Sequence, residues 1–133
     1  MRYLLDTTTC IDVIREKPKA VVARLCGLPA DVVGISAITL SELELGVSQS
    51  TDPERNRRAL TKFLSSLPVL PYDATAARHY GAVRADLEAR GLPIGSLDML
   101  IAAHALSLGL TVVTSNEREF RRVPGLLVEN WRG

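Results

Sequence analysis

The chain of 133 residues is 47% hydrophobic and 23% charged, a composition that fits one globular domain and excludes a disordered protein. A domain of this size folds without disulfides or a structural metal, and no apolar run is long enough to predict a membrane span or an export signal. The net charge of +1 is low for a protein that binds nucleic acid, although 13 of the 16 basic residues are arginines, which suit phosphate contacts.

Strand-like and helix-like patterns alternate along the whole chain. Short β-branched or apolar runs predict strands at residues 2–5, 32–35, 69–72, 111–114 and 126–128. Helical patterns lie at 9–16, 18–28, 36–47, 52–67, 73–90 and 96–108, with Ser36, Asp52, Asp73 and Ser96 as expected N-caps. This order predicts a single α/β domain over residues 1–133, a three-layer α/β/α fold with a central parallel sheet.

The cysteines and histidines do not form a recognisable metal-binding motif. Cys10 and Cys26 form no CxxC pair and fall in apolar helical patterns, so we expect buried, reduced thiols in a cytoplasmic protein and no zinc site. We expect His79 and His104 to pack between helices rather than to bind a metal.

Asp6 is the first candidate for a functional site, because it directly follows the first predicted strand. In a parallel sheet of this type, functional residues gather at the carboxyl ends of the strands. An aspartate at this position also suits the N-cap of the next helix, so the position alone leaves both roles open.

Two further acids lie on helical faces that are otherwise apolar. Glu42 has Ile38 and Leu45 as helical neighbours, and a buried carboxylate is costly unless it is paired or binds a metal. Glu44 competes for the same role, because spacing alone does not choose between the two glutamates. Asp98 opens a helix whose stripe continues through small apolar residues, and the N-terminus of a helix favours a carboxylate.

Three carboxylates that face one another require a positive partner. Two like charges about 4 Å apart cost on the order of 4 kcal/mol at an effective dielectric of about 20. The three motifs contain no Lys or Arg, so we expect Asp6, Glu42 and Asp98 to bind Mg²⁺, with Mn²⁺ as a substitute. Such a site suits phosphodiester hydrolysis, in which the metal activates a water for attack on phosphorus.

Four stretches of the sequence resemble, in order and spacing, the conserved stretches of VapC-type PIN-domain toxins. They are LLDTTTCIDVI, SAITLSELELG, PIGSLDMLIAAHA and VVTSNEREFRRVPGLLVENW, and they span nearly the whole chain. The resemblance implies that Asp6, Glu42 and Asp98 are the metal-binding and catalytic acids, which selects Glu42 over Glu44. It also implies Mg²⁺-dependent cleavage of RNA such as tRNA, a cognate VapB-like antitoxin, a homodimeric toxin and a larger hetero-oligomer with the antitoxin.

The sequence departs from the family pattern in two places. The usual Asp-Thr-Asn after the first strand is Asp-Thr-Thr at residues 6–8, so a hydroxyl or a water must replace a contact made by an amide. Where many PIN domains have an aspartate after the fourth strand, this chain has Asn116, with Glu117 and Glu119 nearby. Either Asn116 is a neutral ligand or Glu119 is the fourth catalytic acid.

Three other classes of protein compete with this interpretation. A haloacid-dehalogenase-like phosphatase needs an aspartate where Thr8 stands, and a receiver-like phosphoacceptor needs a late lysine, but none follows Lys62. A catalytically silent PIN-like module that binds RNA or a protein partner is the alternative that the two departures leave open. Candidates for contacts to an RNA backbone are Arg55, Arg57, Arg58, Arg78 and Arg84.

Overall fold

A five-stranded parallel sheet forms the centre of the computed structural model, which describes all 133 residues. The strands are β1 (Tyr3–Leu5), β2 (Val33–Ser36), β3 (Val69–Leu70), β4 (Thr111–Val113) and β5 (Leu127–Glu129). They pair in the order β3-β2-β1-β4-β5, so β1 is the central strand. The strand order reverses between β1 and β4, and in parallel sheets the carboxyl side of this reversal is where ligands bind.

Seven α-helices cover the two faces of the sheet. They are α1 (Thr7–Arg15), α2 (Lys19–Cys26), α3 (Ala37–Gln49), α4 (Pro53–Leu64), α5 (Ala74–Ala89), α6 (Ser96–Leu108) and α7 (Glu117–Phe120), and a 3-10 helix (Ala30–Val32) precedes β2. Tyr3 and Leu5 pack into a core formed mainly with α1 to α4, whereas Leu4 packs with α5 to α7, because successive strand residues face opposite sides. The predicted three-layer fold is therefore confirmed. None of the helices combines the length and the apolarity that crossing a bilayer requires.

Local details differ from the sequence-based expectations at three points. Ser96 is not an N-cap: Gly95 holds that position without a side-chain cap, and Ser96 is the first residue of α6. Cys10 is buried as expected, but Cys26 is exposed because it lies at the end of α2. The single turn of α7 was not predicted, because four residues are too few to show helical periodicity. The confirmed N-caps are Ser36, Asp52 and Asp73.

A buried hydrogen-bond network connects α6 to the start of α3. His104 Nδ1 lies 2.7 Å from the Ser36 hydroxyl, which also accepts a hydrogen bond from the Ile38 N–H at 3.0 Å. Because that hydroxyl accepts from the backbone, its own proton is available to the His104 ring. Burial lowers the pKa of His104 against the opposing effects of Asp73 and the Pro71 carbonyl, which favours the neutral ring.

Replacement of His104 measures what this network contributes to stability. His104→Ala should lower the free energy of unfolding by about 2–4 kcal/mol at pH 7.5, because it leaves a cavity and removes the partner of a buried hydroxyl. The difference in free energy of unfolding between the wild type and His104→Ala should become smaller as the pH is lowered toward 5. There the unfolded wild-type chain takes up a proton on this histidine more readily than the folded protein, whose His104 pKa is lowered by burial, so the wild type itself loses stability. Urea unfolding at the two pH values gives the difference.

His79→Ala is the matched control for this experiment. His79 is half-buried on α5, and its Nδ1 contacts the Thr75 carbonyl one turn earlier in the same helix at 2.9 Å. We expect its loss to cost less than about 1 kcal/mol. Equal costs at His79 and His104 would contradict a stabilising role for the network between α3 and α6.

Candidate active site

Asp6 lies at the carboxyl end of the central strand, and only 1% of its surface is exposed. Its backbone N–H donates to the Val113 carbonyl at 3.0 Å, which extends the pairing of β1 with β4 by one residue. Its Oδ1 accepts hydrogen bonds from the Thr9 N–H at 2.9 Å and from the Thr8 hydroxyl at 2.7 Å. Asp6 is therefore the N-cap of α1 and also lies at the edge of the sheet where a site is expected.

The two competing glutamates of α3 point in different directions. Glu42 is half-buried, and its Oε1 accepts a hydrogen bond from the Thr7 hydroxyl at 2.7 Å. The side chain of Glu44 is 41% exposed and pairs with Arg57 of α4, whose Nη1 lies 3.0 Å from its Oε2. The packing of α3 thus brings Glu42 into contact with Thr7, the residue that follows Asp6, and turns Glu44 toward the surface.

Asn116 connects the two remaining acids. Its Nδ2 donates to Asp98 Oδ2 at 3.3 Å and to Glu119 Oε2 at 3.0 Å. Glu117 does not join them, because it forms a salt bridge with Arg121 at 3.2 Å. Of the three residues considered near this position, Asn116 and Glu119 therefore lie beside Asp98, and Glu117 lies outside the group.

The four acids share one electrostatic environment. Burial raises the pKa of Asp6, although hydrogen bonds from Thr114, Thr9 and Thr8 oppose the shift. Burial also raises the pKa of Asp98 to about 6, with further contributions from the charges of Asp6, Glu42 and Glu119. The six salt bridges of the structure all involve other acids, so no salt bridge balances the negative charge of this carboxylate cluster (Asp6, Glu42, Asp98 and Glu119), although Arg132, which pairs with Asp12, also interacts with Asp6 at longer range.

The donor set of the carboxylate cluster fits a hard divalent cation. Its members are oxygen ligands, and their hydrogen-bond donors are neutral hydroxyl, amide and backbone groups. No three of the acidic, histidine or cysteine side chains already stand at the spacing of a finished metal cage. Binding of an ion would therefore require these carboxylates to move closer together.

Two threonines support the carboxylate cluster: a hydroxyl or a water was expected to replace the family's amide, and Thr8 supplies that hydroxyl, whereas the role of Thr114 was missed. The Thr8 hydroxyl donates to Asp6 and accepts from the Ser115 N–H at 3.1 Å, so it supplies a contact where the family pattern has an amide. The Thr114 side chain is fully buried, hydrogen-bonds Asp6 and accepts from the Asn116 N–H at 2.8 Å. Their position next to Asp6 and Asn116 in the two motifs was the signal available in the sequence.

A second buried acid near the carboxylate cluster was also missed. Asp12 of α1 is 5% exposed and receives two hydrogen bonds from Arg132, at 2.8 Å from Nε and 2.7 Å from Nη2. These residues lie 120 positions apart, so no local pattern connects them. Because its charge is balanced, Asp12 differs from the acids of the carboxylate cluster.

The fold is that of a PIN domain, and residues 3–126 match the PIN domain family. The chain is 47% identical over 131 residues to the tRNA(fMet)-specific endonuclease VapC of Salmonella typhimurium. It is 42% identical over 132 residues to Ribonuclease VapC2 of Rickettsia felis. Each alignment covers 98% of this chain and 98% of the relative.

Two solved structures are similar over nearly the same length. VapBC2 from Rickettsia felis, bound to a DNA fragment from its promoter, matches with a TM-score of 0.92 and 41% identity, covering 98% of this chain and 99% of that chain. DNA-bound VapBC from Salmonella typhimurium matches with a TM-score of 0.93 and 46% identity, covering 98% of both chains. The chain therefore belongs to the VapC-type PIN-domain ribonuclease toxins, as the four sequence stretches predicted.

Removal of the Asp98 charge should stabilise the metal-free protein. We expect Asp98→Asn to raise the free energy of unfolding by about 1–2 kcal/mol at pH 7.5, a value already reduced for partial solvent exposure, and to change it little at pH 4. The folded wild type keeps the Asp98 proton up to about pH 6, whereas the unfolded chain loses it near pH 4. Wild-type stability therefore falls as the pH rises through this window, and the asparagine variant avoids that loss.

Urea unfolding in EDTA across this pH range tests the expectation. Asp31→Asn is the matched control, because Asp31 is exposed in the 3-10 helix before β2, where a substitution should change the free energy of unfolding by less than about 0.5 kcal/mol. If the free energy of unfolding of Asp98→Asn changed with pH in parallel with that of the wild type, then repulsion between Asp98 and its acidic neighbours would not destabilise the folded protein.

Proposed function

We propose that this protein is a Mg²⁺-dependent endoribonuclease, the toxin of a VapBC-like pair, which hydrolyses RNA by attack of water on a phosphodiester. The observation that supports the proposal most directly is the unbalanced negative charge of the carboxylate cluster at one edge of the sheet. When bound there, Mg²⁺ or Mn²⁺ would lower the pKa of a coordinated water and offset charge on the leaving oxygen.

Asp6 and Asp98 are the proposed main metal ligands, and Glu42 binds the ion directly or through a water. The hydrogen bonds from Thr8 and the Thr9 N–H to Oδ1 orient Asp6 before any ion binds. Orientation of this kind reduces the cost of assembling the site. The packing of α1 against α3 and the Thr7 contact give Glu42 a similar support.

Glu119 is the proposed fourth catalytic residue, and it accepts a proton from the attacking water or positions that water. Asn116 holds Glu119 next to Asp98 through one amide group. A neutral Asn116 adds no charge to the carboxylate cluster, which favours one firmly bound ion over two. Side chains that exchange a proton with water in this way contribute about 10²–10⁴-fold to rate.

The proposed substrate is a structured RNA of the tRNA class. The relative from Salmonella typhimurium, 47% identical to this chain, is named a tRNA(fMet)-specific endonuclease. We propose that this protein also acts on tRNA, but we do not extend the relative's choice of a particular tRNA to it. A panel of purified tRNAs compared with unstructured RNA would test the choice.

A VapB-like antitoxin is the proposed protein partner. The similar solved structures are VapBC complexes, which supports such a partner here. A homodimer of the toxin, and a larger hetero-oligomer with the antitoxin, stay predictions that light scattering of the isolated chain and of the reconstituted pair would test. A cytoplasmic location also stays a prediction.

The alternative is a catalytically silent module that binds RNA or a partner. It was suggested by Thr8 and Asn116, which replace family residues. Both side chains hydrogen-bond to acids of the carboxylate cluster, so the two departures leave the acids together. This favours the enzyme over the silent module.

Cleavage of RNA by the purified toxin, with Mg²⁺ and with EDTA, tests the proposed activity. Asp6→Asn and Asp98→Asn should each abolish detectable cleavage while the protein remains folded, because each removes a ligand charge. Glu42→Gln should lower the rate by at least tenfold, and Glu44→Gln on the same helix should leave it near wild type. Electrophoresis of labelled RNA and circular dichroism give the two readouts.

The pair of glutamate variants is the internal control, since they change the same group two residues apart. A larger loss at Glu44 than at Glu42 would mean that α3 presents the other face to the substrate. Cleavage retained by Asp98→Asn, or unaffected by EDTA in the wild type, would refute the proposed site.

The fourth position can be assigned by substitution at Glu119 and Asn116. Glu119→Gln should lower kcat by about two orders of magnitude, the lower end of the range for losing a group that positions or deprotonates water, with a smaller change in metal affinity. Asn116→Asp should raise the rate at high Mn²⁺ by creating a second metal site. Cleavage rates measured across a metal titration separate these effects. An unaffected Glu119→Gln together with an inactive Asn116→Ala would instead identify the asparagine as the fourth ligand.

A further inference from the structure

Two connected grooves lead away from the carboxylate cluster. The first lies among α1, α3 and α4, and its lining includes Glu42 and apolar side chains such as Ile11 and Val47. The second adjoins it and shares four of its lining residues. The shared residues are Ile14, Arg15, Asn56 and Ala59. The two grooves therefore form one continuous surface that begins beside the carboxylate cluster.

The far part of this surface carries positive charge without acidic partners. Arg15 and Lys17 at the end of α1 and Arg55 at the start of α4 line the second groove, and all three are exposed. None of them belongs to the salt bridges of the structure. We call this continuous surface, from Glu42 to these three cations, the basic groove.

Other arginines that the sequence offered for RNA contacts are already engaged. Arg57 pairs with Glu44, and Arg84 pairs with Glu88 at 2.6 Å. Arg58 and Arg78 are exposed but line neither part of the basic groove. Of the arginines of α4, only Arg55 is thus both free and directed along a path to the carboxylate cluster.

We propose that the basic groove binds the segment of single-stranded RNA that flanks the scissile phosphate, with Arg15, Lys17 and Arg55 contacting successive backbone phosphates. This inference rests on the proposed function, and it assigns the strand a path and a set of contacts. Charge complementarity supports the choice of occupant, because three unpaired cations in one groove suit a polyanion.

The arrangement also explains how a protein of net charge +1 binds RNA close to an acidic cluster. The acids repel phosphate unless a cation lies among them, whereas the basic groove attracts the flanking backbone without a metal. Binding energy gained away from the reacting phosphate can then hold that phosphate in place at the carboxylate cluster.

The test uses binding rather than cleavage, in a variant that does not cut. Labelled single-stranded RNA is titrated with Asp98→Asn, and with the same protein carrying Arg15→Gln, Lys17→Gln and Arg55→Gln, at several salt concentrations and constant Mg²⁺. The three substitutions should weaken binding by roughly tenfold to a hundredfold at low salt. They should also reduce the slope of log K against log salt by about two, since each phosphate contact on a single strand contributes about 0.7.

Arg58→Gln in the same background is the matched control, because it removes one exposed arginine of α4 outside the basic groove. It should leave both the affinity and the salt slope near those of Asp98→Asn. Circular dichroism melts check that each variant is folded, and the three single substitutions replace the triple variant should it unfold.

The outcomes separate this inference from the proposed function. Equal affinity and slope in the triple variant and the Arg58 control would overturn the basic groove as an RNA surface, even if the wild type cleaves RNA. Poly-glutamate that competes with RNA at equal charge concentration would also overturn it, because the surface would then suit an acidic protein segment. RNA binding that depends on the three cations in a protein whose wild type never cleaves RNA would uphold the surface and refute the enzyme.

Discussion

Negative charge that no salt bridge balances gathers at the carboxyl ends of β1 and β4, and the surrounding residues hold the acids in place without neutralising them. Four acids lie together there without a salt bridge, and burial and mutual repulsion raise the pKa of Asp98 to about 6. Such an arrangement lowers stability, and proteins accept local costs of this kind at functional sites when the surrounding fold compensates for them. The parallel pairing of β1 with β4, between two apolar cores, supplies the rigid base.

The supporting side chains hold the acids without cancelling their charge. Thr8 and Asn116 are neutral donors, so they orient carboxylates and leave the site attractive to a cation. The contrast is Asp12, six residues beyond Asp6, which Arg132 neutralises with two hydrogen bonds. A guanidinium in the carboxylate cluster would stabilise the fold but compete with a metal. The two departures from the family pattern are therefore consistent with a working site.

Acidic and basic surfaces lie next to each other in this protein because one short helix serves both. The start of α1 carries the threonines that contact Asp6 and Glu42, and its end carries Arg15, followed by Lys17 in the next turn of chain. A phosphodiester strand needs both environments, one to bind its backbone and one to concentrate cations at the bond to be cut. A nearly neutral net charge conceals this separation.

The amino-acid sequence alone was enough to predict the alternation of strands and helices, the family, and Asp6 and Asp98 as candidates, because each depends on local order or on position at the end of an element. Packing of the helices was needed to establish the rotation of α3, which turns Glu42 inward and pairs Glu44 with Arg57. It also decided that Asn116 contacts two acids at once. The periodicity of a sequence indicates which face of a helix is apolar. It does not indicate which distant residues come into contact when the elements pack, and the contacts here join residues 18 and 35 positions apart.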